Sequence, residues 1–451
     1  MNDDRQLHVD LPTAPDRAGA LTWGQLAIWE VLHWLPPGDT TLTLSTVLPL
    51  PAGTTPERLT AALTALVARH DALRTVFEES GGEPRQTVVG GGRITVDVHD
   101  ASEGAAAETA EKLHRELRGL PFDLARDLPL RAVLVTERDT PAVLVLAISH
   151  MSVDAWSFRI VREDLETLLA GAELPARGPQ PLDRLDYERS DLGRRREERA
   201  LAHWAEQIRE TPAPMLAELP PPSAPHLRWG RIESPALAAA VRLLTGRAGV
   251  TGPVAVLSGV TRLLARYTGQ DQATVRLIVA TRFNARNRRF VGAFNQNALL
   301  RVPSVADPFD DHLRRTSLAA LTAYQNCEYD PRTVERLVRE TAAERGVAAG
   351  GYCFFNDISV EPARRPGTEP RAADAPDPRP LRAETVLSVP DMDQVPMGAT
   401  FFLFLEHIGE RAVLQLCADE RFLAPRSATE FLGDLEDLLV SAAVTPSAAA
   451  G

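Results

Sequence analysis

The spacing of apolar positions divides the chain into short, alternating elements. In residues 22–34, Leu26, Trp29, Val31 and Trp34 recur at mixed helical spacings behind Thr22, a residue suited to capping a helix. Residues 56–70 repeat the pattern more cleanly: Pro56 suits a first turn, and Leu59, Leu63, Leu66 and Val67 share one helical face. β-Branched alternation predicts strands over 73–78, 86–89 and 94–98, with the glycines at 90–92 as a hairpin turn. A phosphate-cradling role for that glycine run lacks the helix that would have to follow it. Next come a helix over 105–118 and a strand over 130–136. Residues 142–149 (AVLVLAIS) form a continuous apolar run of strand length, the pattern of a strand covered on both faces. The run stops at His150, and helical spacing resumes over 156–170. The polar loop between them is where such folds expose chemistry.

From 171 to 187 the composition shifts to Pro, Gly and Arg, an arginine-rich helix follows, and a second proline cluster covers 212–225. This stretch reads as the connection between two halves, 1–185 and 186–451. The second half predicts helices over 235–247, 252–267, 308–325 and 425–442, and strands over 273–280, 297–303, 352–360, 399–407 and 411–418. Residues 361–383, rich in Pro, Arg, Ala and Asp, read as a surface loop or disordered excursion. No fixed-period repeat is visible, which excludes solenoids and propellers.

Composition narrows the function classes. The 451 residues suffice for two large or three average domains, and no run of about 18 apolar residues offers a membrane-spanning helix. The N-terminus opens with acids where a secretory signal needs a basic start, so a cytoplasmic location is expected, with no membrane partner. A net charge of −12 argues against nucleic acid as a partner. Cys327, Cys353 and Cys417 lie far apart without metal-ligand spacing, so no metal site is expected and all three read as small buried residues.

The most pointed local feature is Ser149-His150-Met151-Ser152-Val153-Asp154-Ala155-Trp156-Ser157. A histidine ends a buried strand, and a carboxylate four residues later precedes a helix. Imidazole takes or gives a proton near neutrality, so His150 at a strand end is a candidate base. The plainer reading is a hydrogen-bonded buried histidine, with Asp154 favoured at a helix start by the dipole.

This stretch resembles the HHxxxDG motif of the condensation domains of nonribosomal peptide synthetases, within the chloramphenicol acetyltransferase-like superfamily. The second His of that motif falls on His150 and its Asp on Asp154, while Trp156 and Ser157 match the residues that usually follow. Leu21-Thr22-Trp23-Gly24-Gln25 is similar to the family's opening motif, and 69–77 (RHDALRTVF) to its RHEALRTxF motif. Residues 121–124 with 129–132, then 267–271, 279–282, 292–294 and 325–331, follow the family's order, so the resemblance covers 20–440. Ser149 replaces the first His and Ala155 the closing Gly, giving SHxxxDA. Gln296 and Asn297 stand where the family's GFFVNT segment has Asn and Thr, which implies a cleft shaped for an unusual substrate.

The resemblance implies an α/β fold of two chloramphenicol acetyltransferase-like lobes, each a mixed sheet flanked by helices, in a V shape with a tunnel between them. It implies a condensation enzyme that transfers an acyl or aminoacyl thioester from a carrier protein's phosphopantetheine arm to an amine in natural-product biosynthesis, antibiotics among them. His150 becomes the catalytic residue. Ser149, Asp154, Ala155 and Arg282 become structural residues of the active site, with Asp154 and Arg282 as an ion pair pinning its loop, and the backbone N–H at 155 helps hold the reacting oxygen. Trp156, Ser157, Gln296 and Asn297 become tunnel residues. Expected partners are acyl or peptidyl carrier proteins and a free or carrier-bound nucleophile, with no bound cofactor and a monomeric state. Carriers are commonly acidic, so the candidate docking patches are Arg194, Arg195, Arg196 and Arg199, and Arg286, Arg288 and Arg289. A solvated charged face is the plainer reading of both. No carrier-protein or adenylation-type segment is visible, so a free-standing enzyme is expected. Two alternatives stay open: transfer to a hydroxyl or small diffusible amine, and a non-catalytic, partner-recruiting domain. The DxxxxD motif of cyclising relatives is missing at this site, which disfavours heterocyclisation.

Overall fold

The computed structural model describes residues 5–11, 13–215, 227–303, 307–347, 349, 352–359, 375–390 and 399–445. By backbone contacts the chain forms two compact units, 1–194 with 280–295, and 195–279 with 296–451.

The first unit contains β1 (Arg5–Asp10), β2 (Arg17–Ala20), α1 (Trp23–Leu32), β3 (Thr43–Pro49), α2 (Pro56–Arg69), β4 (Thr75–Ser80), β5 (Glu83–Val88), β6 (Arg93–Ala101), α3 (Ala106–Arg118), β7 (Leu130–Glu137), β8 (Thr140–Ser149), α4 (Ala155–Leu169), α5 (Pro181–Arg189) and the start of α6 (Asp191–Glu210). A mixed sheet of order β1-β6-β7-β8-β3 is covered on both faces, and its period-two alternation explains the apolar run in β8. Leu144, Leu146 and Ile148 face a core built with Leu59, Leu63 and Leu66 of α2 and Ile160, Val161 and Leu165 of α4. Val143, Val145 and Ala147 face α3 through Ala106, Ala110 and Leu117. Each such aliphatic side chain, fully enclosed, contributes about 1.5–3 kcal/mol, so β8 is among the best-anchored strands of the unit.

The expected hairpin at glycines 90–92 is absent. Strand β5 pairs with β4 through a turn at Gly81 and Gly82, in a separate sheet of order β2-β5-β4, whereas β6 belongs to the five-stranded sheet. Gly90 instead lets the chain at Ala14 pass close by; a Cβ there would meet the Ala14 carbonyl oxygen at 1.7 Å. Helix α5 falls inside the stretch expected to be a connection. It starts with Pro181 in its first turn, after Gln180, whose backbone N–H donates to the Asp183 carboxylate at 2.9 Å.

The second unit completes α6 and adds β9 (Leu227–Ser234), α7 (Pro235–Ala248), α8 (Gly252–Thr268), β10 (Ala273–Ala280), β11 (Asn295–Val302), α9 (Phe309–Gln325), α10 (Pro331–Glu344), β12 (Tyr352–Asp357), α11 (Pro378–Leu381), β13 (Val386–Ser388), β14 (Ala399–Ile408), β15 (Ala412–Asp419), α12 (Glu420–Leu423) and α13 (Ala428–Val444). Its seven-stranded mixed sheet has the order β11-β10-β12-β14-β15-β9-β13, and α7, α8 and α13 pack their apolar faces into one core with it. Cys327, Cys353 and Cys417 are free and buried, and burial pushes the thiols of Cys353 and Cys417 up to about 12. Among the described residues no single helix is long and apolar enough to cross a membrane. Residues 216–225 of the second proline cluster and 361–374 of the expected loop lie outside the described residues; 378–384 within that loop form α11 and a 3-10 turn.

The division differs from the expected 185/186 boundary in two ways. The first unit continues to residue 194, and it reclaims 280–295 from the later chain. The physical cause of the second is local: Val291 joins the core of α2 and α4, and Ala293 packs with Leu21, Trp23, Leu26 and Met151. Arg282 therefore belongs to the first unit, not the C-terminal half.

Candidate active site

The site is built where β8 ends and α4 begins. Strand β8 carries its backbone pairing with β3 to Thr43↔Ser149, after which the His150 N–H donates to the Leu42 carbonyl at 2.8 Å. Ser149 is buried and organises the turn. Its hydroxyl accepts from the Met151 N–H at 3.3 Å, and its carbonyl accepts from the N–H groups of Ser152 and Val153. A serine hydroxyl holds such a turn by mimicking a backbone acceptor.

His150 is partly buried, and its Nδ1 is enclosed with no hydrogen-bond partner among the described residues. Nε2 is then the nitrogen left to meet a reactant. Burial pushes the imidazole below its ordinary 6.5; the carbonyls of His150 and Val153 and the charge of Asp154 oppose this without reversing it. The ring is thus neutral at pH 7, the protonation state a base needs.

Asp154 is the N-cap of α4. Its Oδ1 accepts from the Ser157 N–H at 2.7 Å and from Arg282 Nη2 at 2.8 Å, and its Oδ2 accepts from Arg282 Nη1 at 2.6 Å and the Phe294 N–H at 3.2 Å. Both partners are buried, at 3% and 4% side-chain exposure. The two-pronged geometry suits a planar guanidinium facing a carboxylate. It fixes the loop 150–154 from the side of the segment 282–294.

Ser157, expected in the substrate tunnel, is instead part of this clamp. It is fully buried, and its hydroxyl donates to the Gly292 carbonyl at 2.8 Å while accepting from Arg282 Nη2 at 2.6 Å and the Gly292 N–H at 3.0 Å. No capacity is left for a substrate. Trp156 is also tied to the segment, through its ring N–H to the Arg288 carbonyl at 3.2 Å, and Arg159 stacks over its ring at 4.2 Å. Ala155 is the first residue of α4 and exposed, so the position has helical backbone that any residue adopts. The φ freedom of glycine is not needed there.

Gln296 and Asn297 lie on β11 in the second unit. Gln296 is buried, its Nε2 donating to the Tyr329 carbonyl at 3.2 Å, and the Tyr329 hydroxyl donates to the Asn297 carbonyl at 2.6 Å. The expected docking arginines divide. Arg194 pairs with Asp191, and Arg196 with Glu328 at 3.8 Å. Arg289 turns inward to Asp164, and to Glu163 at 3.7 Å, so it clamps α4 instead of facing a partner. Arg195, Arg199, Arg286 and Arg288 are exposed.

The clamp has companions that the residue pattern alone does not mark. Asp164 also accepts from Arg69 Nε at 3.1 Å and faces His70 Nε2 at 2.9 Å, and Asp71 accepts from Arg74 at 2.7 Å and Arg177 at 2.8 Å. Two close approaches seat the segment: a Cβ on Gly24 would meet the Ala293 carbonyl oxygen at 2.3 Å, and one on Gly178 the Arg289 carbonyl oxygen at 2.3 Å. The available signal was the buried-type spacing of RHDALR and the small residue in LTWGQ, neither of which names its distant partner.

Residues 20–348 match the family model described as Condensation domain. The chain belongs to the condensation domain family. Among relatives it is similar to phosphinothricin tripeptide synthetase PhsC of Streptomyces viridochromogenes, 33% identical over 359 residues, covering 74% of this chain and 32% of that protein. The chain spans a third or less of the length of the curated relatives it matches first. Its fold is similar to that of SgcC5 from Streptomyces globisporus, solved with (R)-(-)-1-(2-naphthyl)-1,2-ethanediol and sucrose, with a TM-score of 0.71 at 21% identity over 95% of this chain and 99% of that one. It is similar also to the condensation domain of the Monacolin K polyketide synthase MokA, with a TM-score of 0.73 at 19% identity over 95% and 98% of the two chains. Condensation domains are generally acyltransferase-type proteins that work with carrier domains and need no metal or cofactor of their own.

Proposed function

We propose that this chain transfers an acyl or aminoacyl group from a carrier protein's phosphopantetheine thioester to an amine, forming an amide in natural-product biosynthesis. The observation that carries the reading is the neutral, partly buried His150 at the end of β8, on a loop locked by Asp154 and Arg282 within a condensation-family chain. His150 Nε2 takes the proton of the attacking nitrogen as the C–N bond forms, then returns it to the sulfur as the C–S bond breaks and the thiol leaves. Holding both reactants in place converts a bimolecular step into an effectively unimolecular one. The first-turn N–H groups of α4, behind the cap at Asp154, supply the positive end of a helix dipole for the developing oxyanion. Asp154 and Arg282 fix the loop and take no proton.

Transfer to a hydroxyl is the second reading, motivated by the diol in the SgcC5 structure. Intact mass spectrometry of an acyl-loaded carrier, incubated with candidate amines and alcohols with and without this chain, tests both. Chain-dependent loss of the acyl group to an amine supports amide formation, and loss to an alcohol supports ester formation. Specific binding to a pathway protein without any transfer would favour a partner-recruiting role and overturn both.

A further inference from the structure

The segment 280–295 carries four arginines and no carboxylate in a chain of net charge −12. Two of the four are consumed within the first unit: Arg282 by Asp154, and Arg289 by Asp164. The other two, Arg286 and Arg288, are exposed and make no ion pair among the described residues. Phe283, 58% exposed, precedes them by three and five positions in the same turn. The arginines of α6 differ in that they are interleaved with Asp191, Glu197 and Glu198, and two of them are paired already. The turn is also held from several sides. Asn284 caps it through the Asn287 N–H at 2.9 Å, the Trp156 ring N–H holds the Arg288 carbonyl at 3.2 Å, and Gly178 admits the backbone at Arg289.

We infer that the turn Phe283–Arg288 is the docking contact for the acidic face of a carrier protein, with Phe283 as its apolar anchor and Arg286 and Arg288 as its charge complement. This rests on the carrier-dependent reading above and deepens it, by choosing one surface from the two arginine clusters and adding an aromatic residue. On a molecule of net charge −12, a local cationic island free of carboxylates steers an acidic partner toward itself. An exposed aromatic beside arginine is the composition that anchors interfaces. A turn already fixed by its clamps loses little conformational freedom on binding. The same backbone, four residues before Arg286, carries the arginine that holds the His150 loop, so the docked partner sits on the element that fixes the candidate active site.

The test uses the full chain and a panel of phosphopantetheine-bearing acyl and peptidyl carrier proteins, with dissociation constants measured at low and moderate salt. Phe283→Ala and the double variant Arg286→Glu/Arg288→Glu are expected to weaken binding by about tenfold or more, and the double variant to lose most of the salt dependence. Arg126→Glu, an exposed charge reversal elsewhere on the unit, is expected to bind like the wild type. In transfer assays the loop variants should raise KM for the carrier with kcat at saturation nearly kept. Wild-type affinity in both loop variants overturns the inference, as does an equal loss in Arg126→Glu. Loss of binding in Arg195→Glu alone moves the docking surface to α6 and overturns it too. Carrier binding that depends on the loop, but with no transfer to any nucleophile, keeps the inference and defeats the catalytic reading. Absence of carrier binding by the wild type defeats both.

Discussion

Arg282 grips Asp154 with both terminal nitrogens, at 2.6 and 2.8 Å, while that carboxylate also accepts two backbone N–H groups and caps α4. One carboxylate thus ends the candidate catalytic loop, starts the helix behind it and holds a segment 128 residues further along the chain. Strength and position are coupled here, since the groups that order the loop also bury a charge pair.

Breaking that pair is expected to be costly. Asp154→Ala leaves the Arg282 guanidinium buried without its counter-charge and removes the helix cap, for a loss of about 3–5 kcal/mol. Arg282→Lys keeps the charge but not the planar fork, and should also destabilise and slow transfer. Urea unfolding of the variants measures the first effect. A change below about 1 kcal/mol in Asp154→Ala would show that the pair does not clamp the loop.

His150→Ala removes the only imidazole in the loop 149–157 and no clamp contact. General-base assistance contributes about 10²–10⁴-fold, so single-turnover transfer should slow by that range with little change in unfolding midpoint. Wild-type-like transfer would refute the base role and leave positioning as the source of rate.

The pH dependence follows from the direction of the histidine shifts. Burial lowers the pKa of His70, His150 and His203, and lowers His312 to about 4. A histidine whose folded pKa lies below its unfolded value of 6.5 binds fewer protons when folded. Its stabilising contribution is therefore full above pH 6.5 and is lost as the pH falls from there toward the folded pKa, for His312 between 6.5 and about 4. Thermal unfolding scanned from pH 8 to 4 should show a falling midpoint over that window, and His312→Gln should flatten part of it. Transfer should in turn be level above neutrality and decline in acid, as His150 protonates.

Periodicity was sufficient for most of the main elements, because each reports a face that must be buried: α2 and α4 lie within a residue of their expected limits, and β8 is apolar on both faces because both are covered. The loop from Ser149 to Asp154 was legible for a different reason, as a motif shared with a family. Hairpin partners were not legible. The glycines at 90–92 permit either a turn or a passage between sheets, and only the tertiary pairing of β5 with β4 decides it. Nor could Ser157 be placed, since its fate depends on a segment more than 130 residues away. Short β-strands such as β2 and β13, four and three residues long, carry too few alternating positions to be distinguished from loop.

Gly24 tests how tightly the segment 280–295 is seated. It lies in the first turn of α1, where alanine is ordinarily preferred by about 1 kcal/mol over glycine. Here the added Cβ would meet the Ala293 carbonyl oxygen at 2.3 Å and the Phe294 Cα at 2.9 Å, and backbone atoms cannot swing aside as a side chain would. Overpacking should win, so Gly24→Ala is expected to lower stability by about 1–3 kcal/mol. Because the displaced backbone also donates to Asp154 from Phe294 and carries Arg282 a dozen residues earlier, transfer should fall with it. Gly91→Ala is the control: it is exposed, meets nothing within 4 Å, and should be neutral or slightly stabilising. Denaturant unfolding of the two variants side by side decides it, and a Gly24→Ala protein as stable as Gly91→Ala would mean that the segment yields freely at this contact.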